Sequence, residues 1–112
     1  MAITLEYNGH IVPTDKHGYL VDFTQWHEAL APLLAKTDNV TLTEAHWEIV
    51  RFVRDFYLTY NTSPAIRALT KALKIKFGED KASSRYLFRL FPEGPAKQAT
   101  KYAGLPKPAR CL

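Results

Sequence analysis

Residues 43–60 read TEAHWEIVRFVRDFYLTY, and the spacing of their apolar side chains decides how the rest of the chain is organised. Ile49, Val50, Val53, Phe56, Tyr57 and Tyr60 recur at intervals of three and four, which sets them on one face of a helix. Thr43 precedes the run as an N-cap, offering its hydroxyl to N–H groups that have no partner within the helix, and Glu44 complements the helix dipole. Asn61-Thr62 ends the run after about Tyr60.

Downstream the pattern stays helical. Ser63-Pro64 reads as a cap followed by proline at the first helical position, where no N–H is needed. Ile66, Leu69, Leu73 and Phe77 then face inward until Gly78 closes the helix. Ser83 or Ser84 opens a short helix that ends at Pro92 and contributes Leu87, Leu90 and Phe91. Pro95 to about Tyr102 makes a last one, closed at Gly104. Upstream, Thr24 is expected to cap a helix from Gln25 to about Lys36 with Trp26, Leu30, Leu33 and Leu34 on one side, kinked or shortened by Pro32.

The first residues change period. Ile3-Thr4-Leu5-Glu6-Tyr7 alternates apolar and polar as a half-buried strand does. Asn8-Gly9 is a hairpin signal because both residues tolerate positive φ, and His10-Ile11-Val12 returns. Asp15 to Gly18 makes a second turn, and Tyr19-Leu20-Val21 is expected as a third strand. The predicted class is therefore α+β: a small three-stranded antiparallel N-terminal meander on an array of about five helices.

Residues 105–112, LPKPARCL, differ in kind. Two prolines in three residues forbid a helix and favour an extended path. From Gly104 to Cys111 such a path spans on the order of 20 Å at about 3.1 Å per residue. The predicted organisation is one domain over residues 1–104 and a mobile arm over 105–112 that carries the cysteine.

Composition narrows the class. The chain has 112 residues, 46% of them hydrophobic and 12% aromatic, enough to bury a core in one domain. Its single cysteine rules out an internal disulfide and points to a reducing compartment. The opening MAITLEYNGH has neither the basic start nor the apolar run of a secretion signal, and no stretch approaches the roughly 18 apolar residues of a spanning helix, so a cytoplasmic location is expected. The net charge of +4 hides a split. Residues 1–56 hold four Lys/Arg against eight Asp/Glu, a net of −4, and residues 57–112 hold eleven against three, a net of +8. The basic half suits a nucleic acid or an acidic protein surface, and equally a solvated lysine-bearing face.

Among chemically active groups, Cys111 is the strong nucleophile in a position suited to exchange. Thiolate is the reactive form, and Arg110 beside it and Lys107 nearby supply a field of the right sign. On position alone it is also the stray cysteine of a frayed terminus. His10, His17, His27 and His46 show no metal-ligand spacing, and one cysteine leaves a zinc site short of ligands. No glycine-rich loop links a strand to a helix, which excludes the phosphate-cradle motifs. Arg67, Lys71 and Lys74 share one helix face, and Arg85 and Arg89 share another; they are candidate docking residues, with a solvated face as the alternative.

The run from His46 to Leu112 resembles the DsrC/TusE family. Its most telling segments are Arg51-Phe-Val-Arg-Asp-Phe-Tyr57, Ser63-Pro-Ala-Ile-Arg67, Leu90-Phe-Pro-Glu-Gly-Pro-Ala-Lys97 and the Pro-Lys-Pro…Cys tail. The DsrC branch carries two arm cysteines, one penultimate and one ten residues earlier; here the earlier position is Lys101. The resemblance is therefore to the single-cysteine TusE branch, and an intramolecular disulfide cycle is impossible. That branch implies a sulfur relay without metal or organic cofactor. Cys111 would accept a persulfide sulfur from a TusBCD-type complex, from its TusD subunit, and supply an MnmA-type thiouridylase that forms 2-thiouridine at the wobble position of tRNA. A single-cysteine redox or regulatory protein of the same family is the alternative.

Overall fold

The computed structural model describes residues 4–106. Among them are two strands, β1 (Thr4–Tyr7) and β2 (His10–Pro13), and five α-helices: α1 (Leu30–Lys36), α2 (Glu44–Tyr60), α3 (Ile66–Phe77), α4 (Ser84–Leu90) and α5 (Pro95–Tyr102). The hairpin forms as its turn residues dictate. Asn8 and Gly9 take φ of 49° and 79°, and Leu5 pairs with Val12 on the buried face.

The expected third strand is absent from the described residues; the sheet has two strands, and Leu20 makes only an isolated bridge to Thr14. Two aspartates shorten it. Asp15 Oδ1 accepts from the N–H groups of His17 and Tyr19, closing a tight loop. Asp22 then accepts from the N–H and hydroxyl of Thr24 and turns the chain into a 3-10 turn over Phe23–Gln25. The cap is thus Asp22 rather than Thr24, and the expected helix from Gln25 begins only at Leu30. Pro32 falls in the first turn of α1, where its missing N–H has no intrahelical role, so it starts the helix instead of kinking it.

Helix α2 keeps its expected bounds. His46, at its third position, reaches back so that the Thr43 N–H donates to Nδ1 at 3.0 Å. That leaves the Nε2 hydrogen for the carbonyl of Leu90 at 2.8 Å, tying the start of α2 to the end of α4. Ile49, Val50 and Val53 are fully buried, but the stripe leaves the core beyond them: Phe56 and Tyr57 are half-buried and Tyr60 is 64% exposed. In α3 the helix begins at Ile66 behind Ala65, two residues later than the Ser63-Pro64 signal, with Leu69 and Leu73 fully buried and Gly78 closing it at φ 94°. Ser83 caps α4 by accepting from the Tyr86 N–H.

Helix α5 is the centre of the molecule. It packs against α1, α2, α3 and α4, and every residue of it except Lys97 is buried.

Candidate functional site: the root of the C-terminal segment

The described chain ends at Pro106, just beyond the C-terminal end of α5. The helix closes in a Schellman motif. Leu105 N–H donates to the Thr100 carbonyl at 3.1 Å and Gly104 N–H to the Lys101 carbonyl at 3.0 Å, with Gly104 at φ 72°. Leu105 is fully buried, so the body of the protein extends past Gly104, and Pro106 is the next exposed residue.

Two side chains from other elements take the remaining carbonyls. Trp26 Nε1 donates to the Tyr102 carbonyl at 2.8 Å, and Arg54 Nη1 donates to that of Ala103 at 2.7 Å. The Arg54 guanidinium lies over the Trp26 ring, 4.3 Å from its centre. Burial pulls the Arg54 pKa below its ordinary value, partly offset by the adjacent Asp55 carboxylate. A Cβ at Gly104 would overlap the Trp26 ring, so glycine is required there for space as well as for its backbone.

The flank of α5 carries a buried polar cluster. Lys101 Nζ lies 3.1 Å from Asp38 Oδ1 and donates to Thr37 Oγ1 at 2.9 Å. Tyr102 donates its hydroxyl hydrogen to Asp38 Oδ2 at 2.8 Å and accepts from Gln98 Nε2. Burial, and then the Asp38 carboxylate, push the Tyr102 phenol far above its ordinary pKa. Gly18 lies against this cluster: a Cβ there would come within 2.7 Å of Lys101 Cε. A pocket of about 340 Å³ opens over it, lined by His17, Tyr19, Lys97 and Glu93 among others.

Cys111, Lys107 and Arg110 lie outside the described residues. The docking candidates Arg67, Lys71, Lys74, Arg85 and Arg89 are all exposed, on α3 and α4. Lys74 is spent on Glu79 at 3.0 Å. Lys71 and Lys74 line a depression of about 490 Å³ together with Ser83 and Ser84, so the α3 face meets the start of α4. Among the described residues, no group of His, Cys, Asp or Glu is arranged to hold a metal ion, and no helix is long and apolar enough to cross a membrane. The Trp26–Arg54 pair and the Lys101–Asp38 contact escaped the sequence reading, which placed Trp26 on an apolar stripe and read Lys101 only as a position without cysteine.

The chain belongs to the DsrC-like family, whose model matches residues 6–112. "Sulfurtransferase TusE" of Yersinia pestis is 64% identical over 108 residues, spanning 96% of this chain and 99% of that protein. The protein of the same name from Escherichia coli (strain K12) is 59% identical over 108 residues, spanning 96% and 99%. Among solved structures, DsrC of Allochromatium vinosum superposes with a TM-score of 0.90 at 48% identity, covering all of both chains. The oxidized gamma-subunit of the dissimilatory sulfite reductase (DsrC) from Archaeoglobus fulgidus gives 0.86 at 39% identity, covering 98% of this chain and 100% of that one.

Proposed function

We propose that this chain is a sulfurtransferase of the relay that thiolates tRNA. It takes a persulfide sulfur from a TusBCD-type complex, through its TusD subunit, and supplies it to an MnmA-type thiouridylase for 2-thiouridine at the wobble position. The observation that carries the reading is identity of 59–64% over nearly the whole chain to proteins named as TusE sulfurtransferases. The presence of one cysteine, at position 111, supports the same branch.

The chemistry needs only that thiol. Cys111 thiolate attacks the outer sulfur of the donor persulfide, a new S–S bond forms on Cys111, and the donor's own thiolate leaves. The product is a Cys111 persulfide, and no electron is gained or lost by the pair as a whole. Lys107 and Arg110 favour the thiolate. In this reading the carrier arm is the segment that follows the buried Leu105, and the Trp26–Arg54 pair fixes where it leaves the body. Such a relay operates in the cytoplasm.

The test is mass spectrometry of Cys111 after incubation with a cysteine desulfurase, cysteine and the TusBCD-type proteins. One added sulfur atom is expected on Cys111, and none on the Cys111→Ser variant, which should fold as the parent does. Wobble 2-thiolation persisting in cells that carry only Cys111→Ser would overturn the reading.

A further inference from the structure

The exposed faces of α3 and α4 hold cations that the fold does not use. Between Ile66 and Leu90 there are seven Lys/Arg against two Asp/Glu. Glu79 is taken by Lys74, and Lys81 is turned away to Glu48. Arg67, Lys71, Arg85 and Arg89 are exposed and make no ion pair among the described residues. Arg67 and Lys71 stand one turn apart, as do Arg85 and Arg89, and like charges at that spacing repel. Folding alone gives no reason to collect them.

Two large apolar side chains stand exposed on these helices, and Ile75, 81% exposed one turn after Lys71 on α3, is the aliphatic one. Phe88 is 46% exposed on α4, three residues after Arg85 and next to Arg89, while Leu87 of the same turn is fully buried. The depression between the two helices is lined by Thr70, Ser83 and Ser84 as well as Lys71. A protein partner would call for a larger apolar core than these two side chains, one on each helix, supply. A single aromatic ring set among cations and hydroxyls suits a different ligand, in which cations and hydroxyls hold phosphates and the ring takes an unpaired base.

We propose that this surface binds RNA, with Arg67, Lys71, Arg85 and Arg89 on phosphates and Phe88 stacking on an unstacked base. The inference rests on the tRNA-thiolation reading above, and it places the RNA directly on the carrier.

The test is binding of the full chain to a fluorescently labelled, unmodified tRNA transcript with uridine at the wobble position, followed by anisotropy across a salt series. Four phosphate contacts predict a slope of log K against log salt of about −3. Arg85→Glu/Arg89→Glu should weaken binding by at least about tenfold and make the slope shallower by roughly two. Phe88→Ala should weaken it about tenfold with the slope unchanged, because stacking releases no counterions. All three residues are exposed, and circular dichroism should show the variants folded. No binding by the parent at low salt, or Phe88→Ala binding as the parent does, overturns the proposal. So does a charge-reversed variant that binds tRNA normally but takes sulfur slowly from its donor, which marks an acidic protein as the partner. A parallel assay of 2-thiouridine formation keeps the two readings apart. Thiolation by a parent that does not bind tRNA sinks only the RNA contact, whereas binding with the stated variant effects upholds the contact whatever the thiolation assay returns.

Discussion

Arg54 stacks on Trp26 at 4.3 Å, and each of the two then donates to one of the consecutive carbonyls of Tyr102 and Ala103. The pair comes from separate elements: Trp26 follows the 3-10 turn, and Arg54 sits on α2. Together they cap the central helix with a charge-assisted bond and a fixed indole donor, which suits the negative end of the helix dipole.

Breaking the pair should loosen the point from which the C-terminal segment starts. Arg54→Met keeps an apolar stem over the indole but leaves the Ala103 carbonyl without its charged donor, at a cost of about 2 kcal/mol. Sulfur transfer from the donor complex should slow several-fold while Cys111 reacts with a small neutral alkylating reagent at the parent rate. Equal loss in both reactions would show that the substitution acts on the thiol, not on its presentation. Gly104→Ala is the harsher change, because it meets the Trp26 ring at φ 72°. Chemical denaturation should show a loss of about 3 kcal/mol or more.

The Lys101–Asp38 contact is largely enclosed, with side-chain exposures of 10% and 19%. Removing one partner of such a pair strands the other, so Lys101→Ala should cost about 3 kcal/mol, the Tyr102 hydroxyl being left to Asp38. A double-mutant cycle with Asp38→Ala measures the coupling. A cost below about 1 kcal/mol for Lys101→Ala would mean that water already satisfies Asp38.

What the sequence made legible was local. The Asn8-Gly9 turn, the Thr43 cap, the Gly78 stop, the start of α4 at Ser83 or Ser84 and the bounds of α5 each depend on a few neighbouring residues whose backbone preferences agree with the fold. The misreadings also share a cause. Thr24 lost the cap to Asp22 two residues away, because both can accept from backbone N–H groups and only the surrounding chain decides. The third strand stops at a single bridge: Asp15 N–H donates to the Tyr19 carbonyl and Val21 N–H to that of Pro13, but Asp22 then turns the chain away by accepting from Thr24. The root of the C-terminal segment was illegible for a deeper reason. Trp26 meets Tyr102, Arg54 meets Ala103 and Asp38 meets Lys101 across separations that no periodicity encodes. Cys111 was legible as the lone thiol, and the role proposed for it came from family resemblance rather than from spacing.

Thr100 is fully buried in α5, and its hydroxyl has no hydrogen-bond partner among the described residues. An unsatisfied buried hydroxyl is costly, and valine fills nearly the same volume without it. Thr100→Val should therefore raise stability by about 1 kcal/mol in urea denaturation. A loss of that size would reveal a partner for the hydroxyl.

The last prediction concerns alkaline stability. Burial and the Asp38 carboxylate raise the Tyr102 pKa well above its ordinary value of about 10. Above that pH the unfolded chain gives up the phenolic proton while the folded chain keeps it, so the unfolded state binds fewer protons. Stability is then fully present below about pH 10 and falls as pH rises, by about 1.4 kcal/mol per unit from this group alone. Tyr102→Phe removes the group from the linkage. It should be about 1 kcal/mol less stable near neutrality, having lost the bond to Asp38, yet decline less steeply in alkali. Urea midpoints measured for both proteins from about pH 8 to about pH 11 should converge and then cross. Curves that stay parallel over that range would show that Tyr102 gives up its proton as readily in the folded protein as in the unfolded chain.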